Sequence, residues 1–285
     1  MSCRIMRSLL YVPGQNEKLI EKAAKGSADV VVLDLEDAVP DENKPMAREM
    51  LAASCQLIQA SGKAAAVRVN ASEQLLDLDL PAVIAAGADL VVLPKVEAAS
   101  QVQALAARLP GKNTGIIGLI ESPAGLLNVA DIAASHGRLL ALSVGTEDLS
   151  FDMEMSPCWD ALLVPSMQVN IACKAAGIDA LGYVGSIAEF RDIAAFETCV
   201  QRSVPLGFSG GFAIHPAQVE VLNRAFSPDP AQVELAGRIV EAYGRAKQEG
   251  IGAIAVDGKM IDLPVALRAE KLLDLHALIS AREKT

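Results

Sequence analysis

The sequence predicts an α/β protein, a (β/α)8 barrel of the TIM type followed by a C-terminal helical extension with a lid segment. Eight short apolar runs recur about every 25 to 40 residues, which is the spacing of repeated β/α units. None of the runs alternates apolar and polar residues, as expected for strands covered on both faces of a parallel sheet. No GxGxxG turn follows the first run, so a closed barrel is favoured over an open dinucleotide-binding sheet.

Each apolar run is short enough to be a buried strand, and a helical pattern separates it from the next. The predicted strands are Leu9 to Val12, Val30 to Leu35, Ala64 to Val69, Leu90 to Leu93, Ile116 to Ile120, Leu139 to Val144, Ala180 to Val184 and Phe212 to Ile214. Glycines close most of the intervening helices, at Gly26, Gly62, Gly87, Gly137 and Gly177. The similar segments GSADVVVL and GADLVVL give a faint internal repeat of helix end, turn and strand.

The stretch from Gly115 to Asp152 is the clearest strand, helix, strand unit. One helix is predicted between its two strands, with Pro123 in the first turn and Gly137 as a left-handed cap. The apolar face of this helix would comprise Leu126, Leu127, Val129, Ala130, Ile132 and Ala133.

The pattern of β/α units ends after the eighth run. We therefore predict a catalytic barrel over residues 1–226 and a helical extension over residues 227–285. Helices are expected over Ala217 to Ala225, over Ala231 to Gln248 and from Val265 onward. The segment IGAIAVDGKMIDLP, which contains Asp257 and Asp262, precedes the last helix and is the predicted lid.

Composition excludes several classes of protein. The net charge of -10 and the lack of Lys/Arg clusters argue against nucleic-acid binding. No apolar run approaches the roughly 20 residues needed to cross a bilayer, and the N-terminus does not resemble a signal peptide. The cysteines have no CxxC spacing, which indicates reduced thiols in a cytoplasmic protein: Cys3, Cys55, Cys158, Cys173 and Cys199.

Charged residues follow successive predicted strands. They are Glu36, Asp37, Arg68, Lys95, Glu121, Asp148 and His215. In a barrel the carboxyl ends of all strands share one mouth, where barrel enzymes carry out their chemistry. We therefore expect these side chains to meet there, although Glu121 and Asp148 read alone are equally compatible with exposed loop acids that never meet or with acids that each pair with a basic side chain.

The residue types at this mouth favour a hard divalent cation. Glu121 and Asp148 offer carboxylate oxygens, which select Mg²⁺ or Mn²⁺, and leave coordination positions for water and substrate. Arg68 presents a fork suited to a carboxylate, with a salt bridge to Glu36 or Asp37 as its structural alternative. Those two acids are predicted to hold metal waters or to orient Arg68, rather than to bind the metal directly.

A lysine at a strand end suggests another chemistry. Lys95 is placed where a Schiff-base lysine of a metal-free aldolase would lie. A Schiff-base mechanism would give the converging acids Glu121 and Asp148 no role, so the metal site is preferred.

The motifs of this chain resemble the citrate lyase β-subunit-like proteins of the HpcH/HpaI aldolase superfamily. The matching segments run in order along nearly the whole chain: RSLLYVPG, VVLDLEDAVPDENK, VRVN, LVVLPKVE, LIESPAGLLN, GTEDLS, AIHPAQV and DGKMIDLP. Two departures, Gly211 in place of a common lysine and a less acidic segment GYVGSIAEF, bear on how the substrate is held.

The resemblance implies a Mg²⁺-dependent oxo-acid lyase that cleaves a 3-hydroxyacyl-CoA of the citryl, citramalyl or malyl type to an oxo acid and acetyl-CoA. It implies that Glu121 and Asp148 bind the metal, that Arg68 and Glu121 contact the substrate, and that Arg68 and Asp262 are catalytic. In such relatives a neighbouring subunit supplies the lid acid, which implies a homotrimer or hexamer. The structural alternative for Asp262 is a helix cap ahead of Pro264.

Three other functions remain open from the sequence. They are a metal-dependent aldolase that releases pyruvate from a hydroxy-oxo acid, a non-catalytic acyl-CoA-binding subunit, and a lyase subunit acting on an acyl-carrier thioester. The acid-bearing lid favours a large thioester substrate, and the set of Arg68, Glu121, Asp148 and Asp262 argues against a purely binding role.

Overall fold

The computed structural model describes residues 5–111, 114–188 and 190–282 of the chain. Cys3 and Glu189, which entered the sequence predictions, lie outside these ranges; the four described cysteines are unpaired. Two compact units are present, one over Met6–Arg224 and one that contains the chain from Ala225 onward.

The first unit is a barrel of eight parallel strands. These are β1 (Ser8–Pro13), β2 (Val30–Asp34), β3 (Ala64–Arg68), β4 (Leu90–Leu93), β5 (Gly115–Ile120), β6 (Leu139–Val144), β7 (Asp179–Leu181) and β8 (Gly211–Ala213). Neighbours in the sheet follow chain order from β1 to β7, and β8 pairs with β1. A parallel bridge from Leu181 to Gly210 joins the remaining edges, so the predicted (β/α)8 barrel is confirmed.

The helices of the barrel follow the predicted β/α rhythm. They are α1 (Glu17–Lys25), α2 (Lys44–Ala60), α3 (Glu73–Ala86), α4 (Ala99–Arg108), α5 (Pro123–Leu127), α6 (Val129–Ala133), α7 (Thr146–Asp152), α8 (Trp159–Ala176), α9 (Ile193–Ser203) and α10 (Pro216–Ala225). Gly87 and Gly177 adopt the left-handed conformation that ends α3 and α8.

The connection between β5 and β6 differs from the prediction. It contains two short helices, α5 and α6, which separate at Asn128, whose side chain donates a hydrogen bond to the carbonyl oxygen of Glu97. Because α6 already ends at Ala133, Gly137 does not cap it. Two residues predicted on the apolar face, Leu127 and Ala130, are exposed. The single predicted helix is therefore replaced by two short ones.

The barrel interior is filled by side chains from the strands. Its buried cluster includes Leu9, Val32, Val92, Ile117 and Phe212. This packing fills the barrel below its carboxyl-terminal mouth, so a site inside the barrel lies at the mouth. No helix among the described residues is long and apolar enough to cross a membrane.

The second unit consists of two helices and a hairpin: α11 (Pro230–Gln248), β9 (Ile254–Val256), β10 (Lys259–Ile261) and α12 (Leu263–Arg282). The final helix therefore begins two residues earlier than predicted. Asp257 and Gly258 form the hairpin turn with φ of 49° and 74°, the backbone of a type I′ turn. Ile239, Ile261 and Ala269 form the centre of the small core of this unit.

Candidate active site

A cavity of about 400 Å³ opens among the carboxyl ends of the barrel strands. Four of the predicted site residues line it: Asp37, Arg68, Glu121 and Asp148. The barrel topology therefore brings side chains from β3, β5 and the start of α7 to one place, as parallel strands with a common mouth require.

Glu121 follows the last residue of β5 and is 5% exposed. Its Oε2 atom accepts a 2.7 Å hydrogen bond from the backbone N–H of Lys95. On the other side of the carboxylate lies Gly145, where a Cβ atom would overlap Cγ and Oε1 of Glu121. Glycine at 145 is therefore needed for this carboxylate to occupy its position.

The chemistry of Glu121 is set by burial and by a second acid. Burial raises the pKa of its carboxyl group to about 7; the Lys95 N–H opposes this shift and the charge of Asp148 adds to it. Asp148 lies in the first turn of α7 and is partly exposed. The two carboxylates therefore interact electrostatically and share the cavity, as an acidic cation site requires.

Lys95 has one of the few strained backbones of the described residues. Its φ is 53°, in the left-handed region that a lysine rarely adopts. This conformation directs its N–H towards Glu121, while its Nζ atom lies 3.8 Å from Oε1 of Glu36. Partial burial lowers the pKa of the Lys95 ammonium, but the surrounding carboxylates, Glu36 first among them, outweigh that effect and raise it. The side chain is thus held as a cation beside the acids, which does not suit a Schiff-base nucleophile.

Arg68 ends β3 and is held by three carboxylates. Asp34 binds its Nε and Nη2 atoms at 2.7 and 2.6 Å, and Glu36 and Asp37 lie 3.0 and 3.5 Å from Nη1. The guanidinium carbon also lies 4.8 Å from the centre of the Tyr11 ring. The predicted contacts with Glu36 and Asp37 are therefore present, but the bidentate partner is Asp34, which the sequence analysis did not single out.

Glu36 carries an unsatisfied oxygen. Its Oε2 atom is buried and forms no hydrogen bond among the described residues, although it lies 3.0 Å from Nη1 of Arg68. Burial raises the pKa of this carboxyl group to about 7, with Arg68 opposing the shift. A buried acceptor of this kind is suited to a water molecule, including one bound to a metal.

A buried polar network behind the mouth fixes the loop that carries Glu36. Lys44 Nζ donates to the carbonyl oxygens of Leu35 and Glu36 and to Oδ1 of Asn70. Asp79 accepts two hydrogen bonds from Asn70 and completes the network. These contacts set the position of the loop independently of any ligand.

The donor set fits a magnesium ion. Within residues 5–111, 114–188 and 190–282 no group of three or more Asp, Glu, His or Cys side chains is arranged to hold a metal ion, so the protein can offer the two carboxylates of Glu121 and Asp148. Two carboxylates with open positions are the usual protein share of a Mg²⁺ site. Oε1 of Glu121 lies beside Gly145, and Oε2 of Glu36 is a buried oxygen without a hydrogen bond among the described residues.

Two predicted residues have local structural roles. Asp262, in the second unit, caps α12 by accepting a 3.3 Å hydrogen bond from the backbone N–H of Val265. His215 accepts a hydrogen bond from the N–H of Ala217 at the start of α10, and its ring stacks on Phe190. The helix-cap alternative for Asp262 is therefore present in the structure, and a catalytic role remains a prediction.

Comparison with known proteins agrees with this architecture. Residues 7–216 match the HpcH/HpaI aldolase/citrate lyase family. The chain is 34% identical to a (3S)-malyl-CoA thioesterase from Cereibacter sphaeroides, an alignment that covers 97% of this chain and 96% of the relative. It is also 34% identical to the citrate lyase subunit beta of Escherichia coli, over 99% and 96% of the two chains.

A solved structure is similar over the same length. CitE from Mycobacterium tuberculosis, in complex with magnesium, acetoacetate and coenzyme A, superposes with a TM-score of 0.76 at 29% identity, covering 95% of this chain and 97% of that one. The resemblance read from the motifs is thereby confirmed: the chain belongs to the HpcH/HpaI aldolase/citrate lyase family.

Proposed function

We propose that this protein is a Mg²⁺-dependent carbon-carbon lyase that cleaves a 3-hydroxyacyl-CoA to a 2-oxo acid and an acyl-CoA. The observation that carries the proposal is the meeting of Glu121, Asp148 and Arg68 in one cavity at the barrel mouth. The magnesium and coenzyme A in the similar CitE structure support the same ligands here.

In this proposal Glu121 and Asp148 hold Mg²⁺ or, in its place, Mn²⁺. The bound ion supplies positive charge that acidifies a substrate hydroxyl and polarises a neighbouring oxygen. Lys95 fixes Oε2 of Glu121 through its N–H, so that Oε1 remains for the ion. Glu36 accepts hydrogen bonds from waters at the edge of the site through its unsatisfied Oε2.

Arg68 binds the carboxylate of the oxo-acid half of the substrate. Asp34 occupies the Nε–Nη2 edge of the guanidinium, and Tyr11 packs on its face, so the group is oriented before substrate arrives. The 3.5 Å contact of Nη1 with Asp37 is long and exchanges readily for a substrate oxygen. Preorganised binding of this kind places the bond to be broken next to the metal carboxylates.

Asp262 is proposed to move the proton at the α-carbon of the thioester. It would protonate that carbon on cleavage, while the proton of the substrate hydroxyl passes to water, and it would remove the α-proton in the reverse direction. We propose that a neighbouring subunit supplies it, which requires a homotrimer or hexamer. Mixing inactive Arg68→Ala and Asp262→Asn proteins should restore part of the activity if sites form between subunits, and none if each chain is self-sufficient.

The test of the reaction uses malyl-CoA, citramalyl-CoA and citryl-CoA with Mg²⁺, with the oxo acid and the acyl-CoA identified by mass. Glu121→Ala and Asp148→Ala should each abolish EDTA-sensitive cleavage while the circular dichroism spectrum stays unchanged. Full activity in either variant would refute the metal assignment.

Hydrolysis of the same thioesters is the second candidate, because one relative at 34% identity is a (3S)-malyl-CoA thioesterase. The products separate the two reactions. A lyase leaves the thioester intact in the acyl-CoA, whereas a thioesterase releases the free thiol of CoA, which a thiol reagent detects. Thiol release without oxo acid would replace the lyase proposal by hydrolysis.

A further inference from the structure

The walls of the cavity differ in polarity according to the strand that supplies them. Its charged groups, which include Arg68, Glu121 and Asp148, come from β2, β3, β5 and the start of α7. The segments after β7 and in β8 contribute Ile187, Phe212 and Ile214 instead. A ligand held on Arg68 and the two carboxylates therefore has an apolar surface on its remaining side.

Specific contacts hold this apolar wall in place. Phe212 is buried and stacks on Tyr11 at 5.1 Å between ring centres. Gln218, which is fully buried, donates a 2.9 Å hydrogen bond to the carbonyl oxygen of Ile187 and accepts one of 2.9 Å from the N–H of Ile214. One amide thus fixes both isoleucines, although Ile214 itself is 42% exposed.

Basic side chains are scarce along the wall of the cavity. Among the described residues that line the cavity, Arg68 is the sole Lys, Arg or His, and it would hold the first carboxylate of the substrate. Lys95 lies against Glu36 and does not line the cavity. Arg191 and His215 both contact the ring of Phe190. A second substrate carboxylate that pointed at the isoleucine wall would find no Lys, Arg or His side chain other than Arg68 among the described residues that line the cavity.

We infer that the oxo acid handled by this site is a monocarboxylic 2-oxo acid whose side chain is hydrogen or a short alkyl group, and that Ile187 and Ile214 determine this preference. The inference rests on the proposed function and adds the substrate class to it. An unpaired carboxylate against an apolar wall loses hydration without compensation, so we expect a discrimination on the order of 100-fold or more against dicarboxylic oxo acids.

The test compares oxo acids matched in shape. Oxaloacetate is compared with 4-methyl-2-oxopentanoate, in which two methyl groups replace the two oxygens of the distal carboxylate, and with pyruvate. Condensation with acetyl-CoA and Mg²⁺ gives kcat/KM for each acid, and calorimetry with the Mg²⁺-loaded protein gives the affinity without turnover. We expect kcat/KM and affinity to be higher for both monocarboxylic acids than for oxaloacetate, on the order of 100-fold or more.

Matched variants locate the preference in the wall. Ile214→Lys should raise relative kcat/KM and affinity for oxaloacetate at least tenfold, because it offers the missing cation. Ile171→Lys is the same change at an exposed position of α8. It should leave kcat/KM for oxaloacetate, relative to that for the monocarboxylic acids, as in the wild type. If Ile214→Lys does not fold, Ile187→Lys provides the same test.

The outcomes separate this inference from the proposed function. Cleavage activity with equal or better use of oxaloacetate would overturn the inference and leave the lyase intact. The same discrimination in binding, without condensation, would support the inference and overturn the lyase. No binding and no turnover of any of the three acids would overturn both.

Discussion

The position of the Glu121 carboxylate depends on the absence of a side chain at Gly145, and this can be tested with one added carbon. Gly145→Ala puts a Cβ atom 2.8 Å from Cδ of Glu121 and still closer to Cγ and Oε1. The backbone itself tolerates alanine, because φ is −82° and ψ is 94°. Any effect of the substitution therefore acts through the carboxylate of Glu121.

The size of the effect follows from these distances. Ordinary van der Waals contact begins at 3.4 Å, so the carboxyl carbon must move by 3.4 − 2.8, about 0.6 Å, and Oε1 must move further. That shift weakens the 2.7 Å hydrogen bond from the N–H of Lys95 and displaces the oxygen proposed to bind the metal. We expect a 10- to 100-fold loss of Mg²⁺ affinity, equivalent to about 1.4 to 2.7 kcal/mol.

The assay is Mn²⁺ or Mg²⁺ titration followed by calorimetry, with thermal unfolding as a check of the fold. Gly137→Ala is the matched control, because its Cβ would meet no atom within 4 Å and its φ is not in the left-handed region. Unchanged metal affinity in Gly145→Ala, together with loss of binding in Glu121→Ala, would refute the described placement of the carboxylate.

Three further predictions concern the charges of the site. The pKa values of Glu36 and Glu121 are raised from 4.5 to about 7, so the folded state holds more protons than the unfolded state between these values. The metal-free protein should therefore lose stability as pH rises from about 4.5 to 7, by up to about 3 kcal/mol per carboxyl group. A Glu36→Gln/Glu121→Gln double variant should show a flatter profile of Tm against pH. Asp34→Asn removes the charge that orients Arg68, so KM for the oxo acid in condensation should rise at least tenfold with a smaller change in kcat; an unchanged KM would contradict the assigned role. Lys95→Gly should be more stable than Lys95→Ala by about 1 kcal/mol, because both lack the ammonium but only alanine keeps a Cβ at positive φ; denaturant unfolding at one pH decides this, and equal stabilities would refute the argument.

The barrel was predictable because the apolar runs alone determine it. A buried parallel strand needs a continuous apolar sequence, so β4 and β6 were predicted residue for residue. The position of Glu121 at the mouth was also predictable, because a charged residue that directly follows a buried parallel strand lies at the shared carboxyl-terminal edge of the sheet. Gly87 and Gly177 were predicted to end helices because glycine readily adopts the left-handed conformation of a helix cap, and both do so.

The features that the sequence analysis missed depend on contacts between segments that are distant in the sequence. Asp34 was overlooked because it reads as the end of a strand beside the more prominent Glu36 and Asp37, although an acid in a buried run was itself a signal. Gln218 lies in an ordinary helical pattern and acquires its role only when two loops meet it. The two helices after β5 likewise meet at Asn128, whose side chain donates a hydrogen bond to the carbonyl oxygen of Glu97, a contact between distant segments.

Gln218 holds the apolar wall through backbone atoms of Ile187 and Ile214, and neither isoleucine side chain takes part in those bonds. The amide therefore continues to support the wall when either side chain is exchanged. In the proposed site, the residues that select the oxo acid would therefore differ from those that bind the metal. Substituting Ile187 and Ile214 would then change which acid is accepted while leaving every carboxylate at the mouth in place.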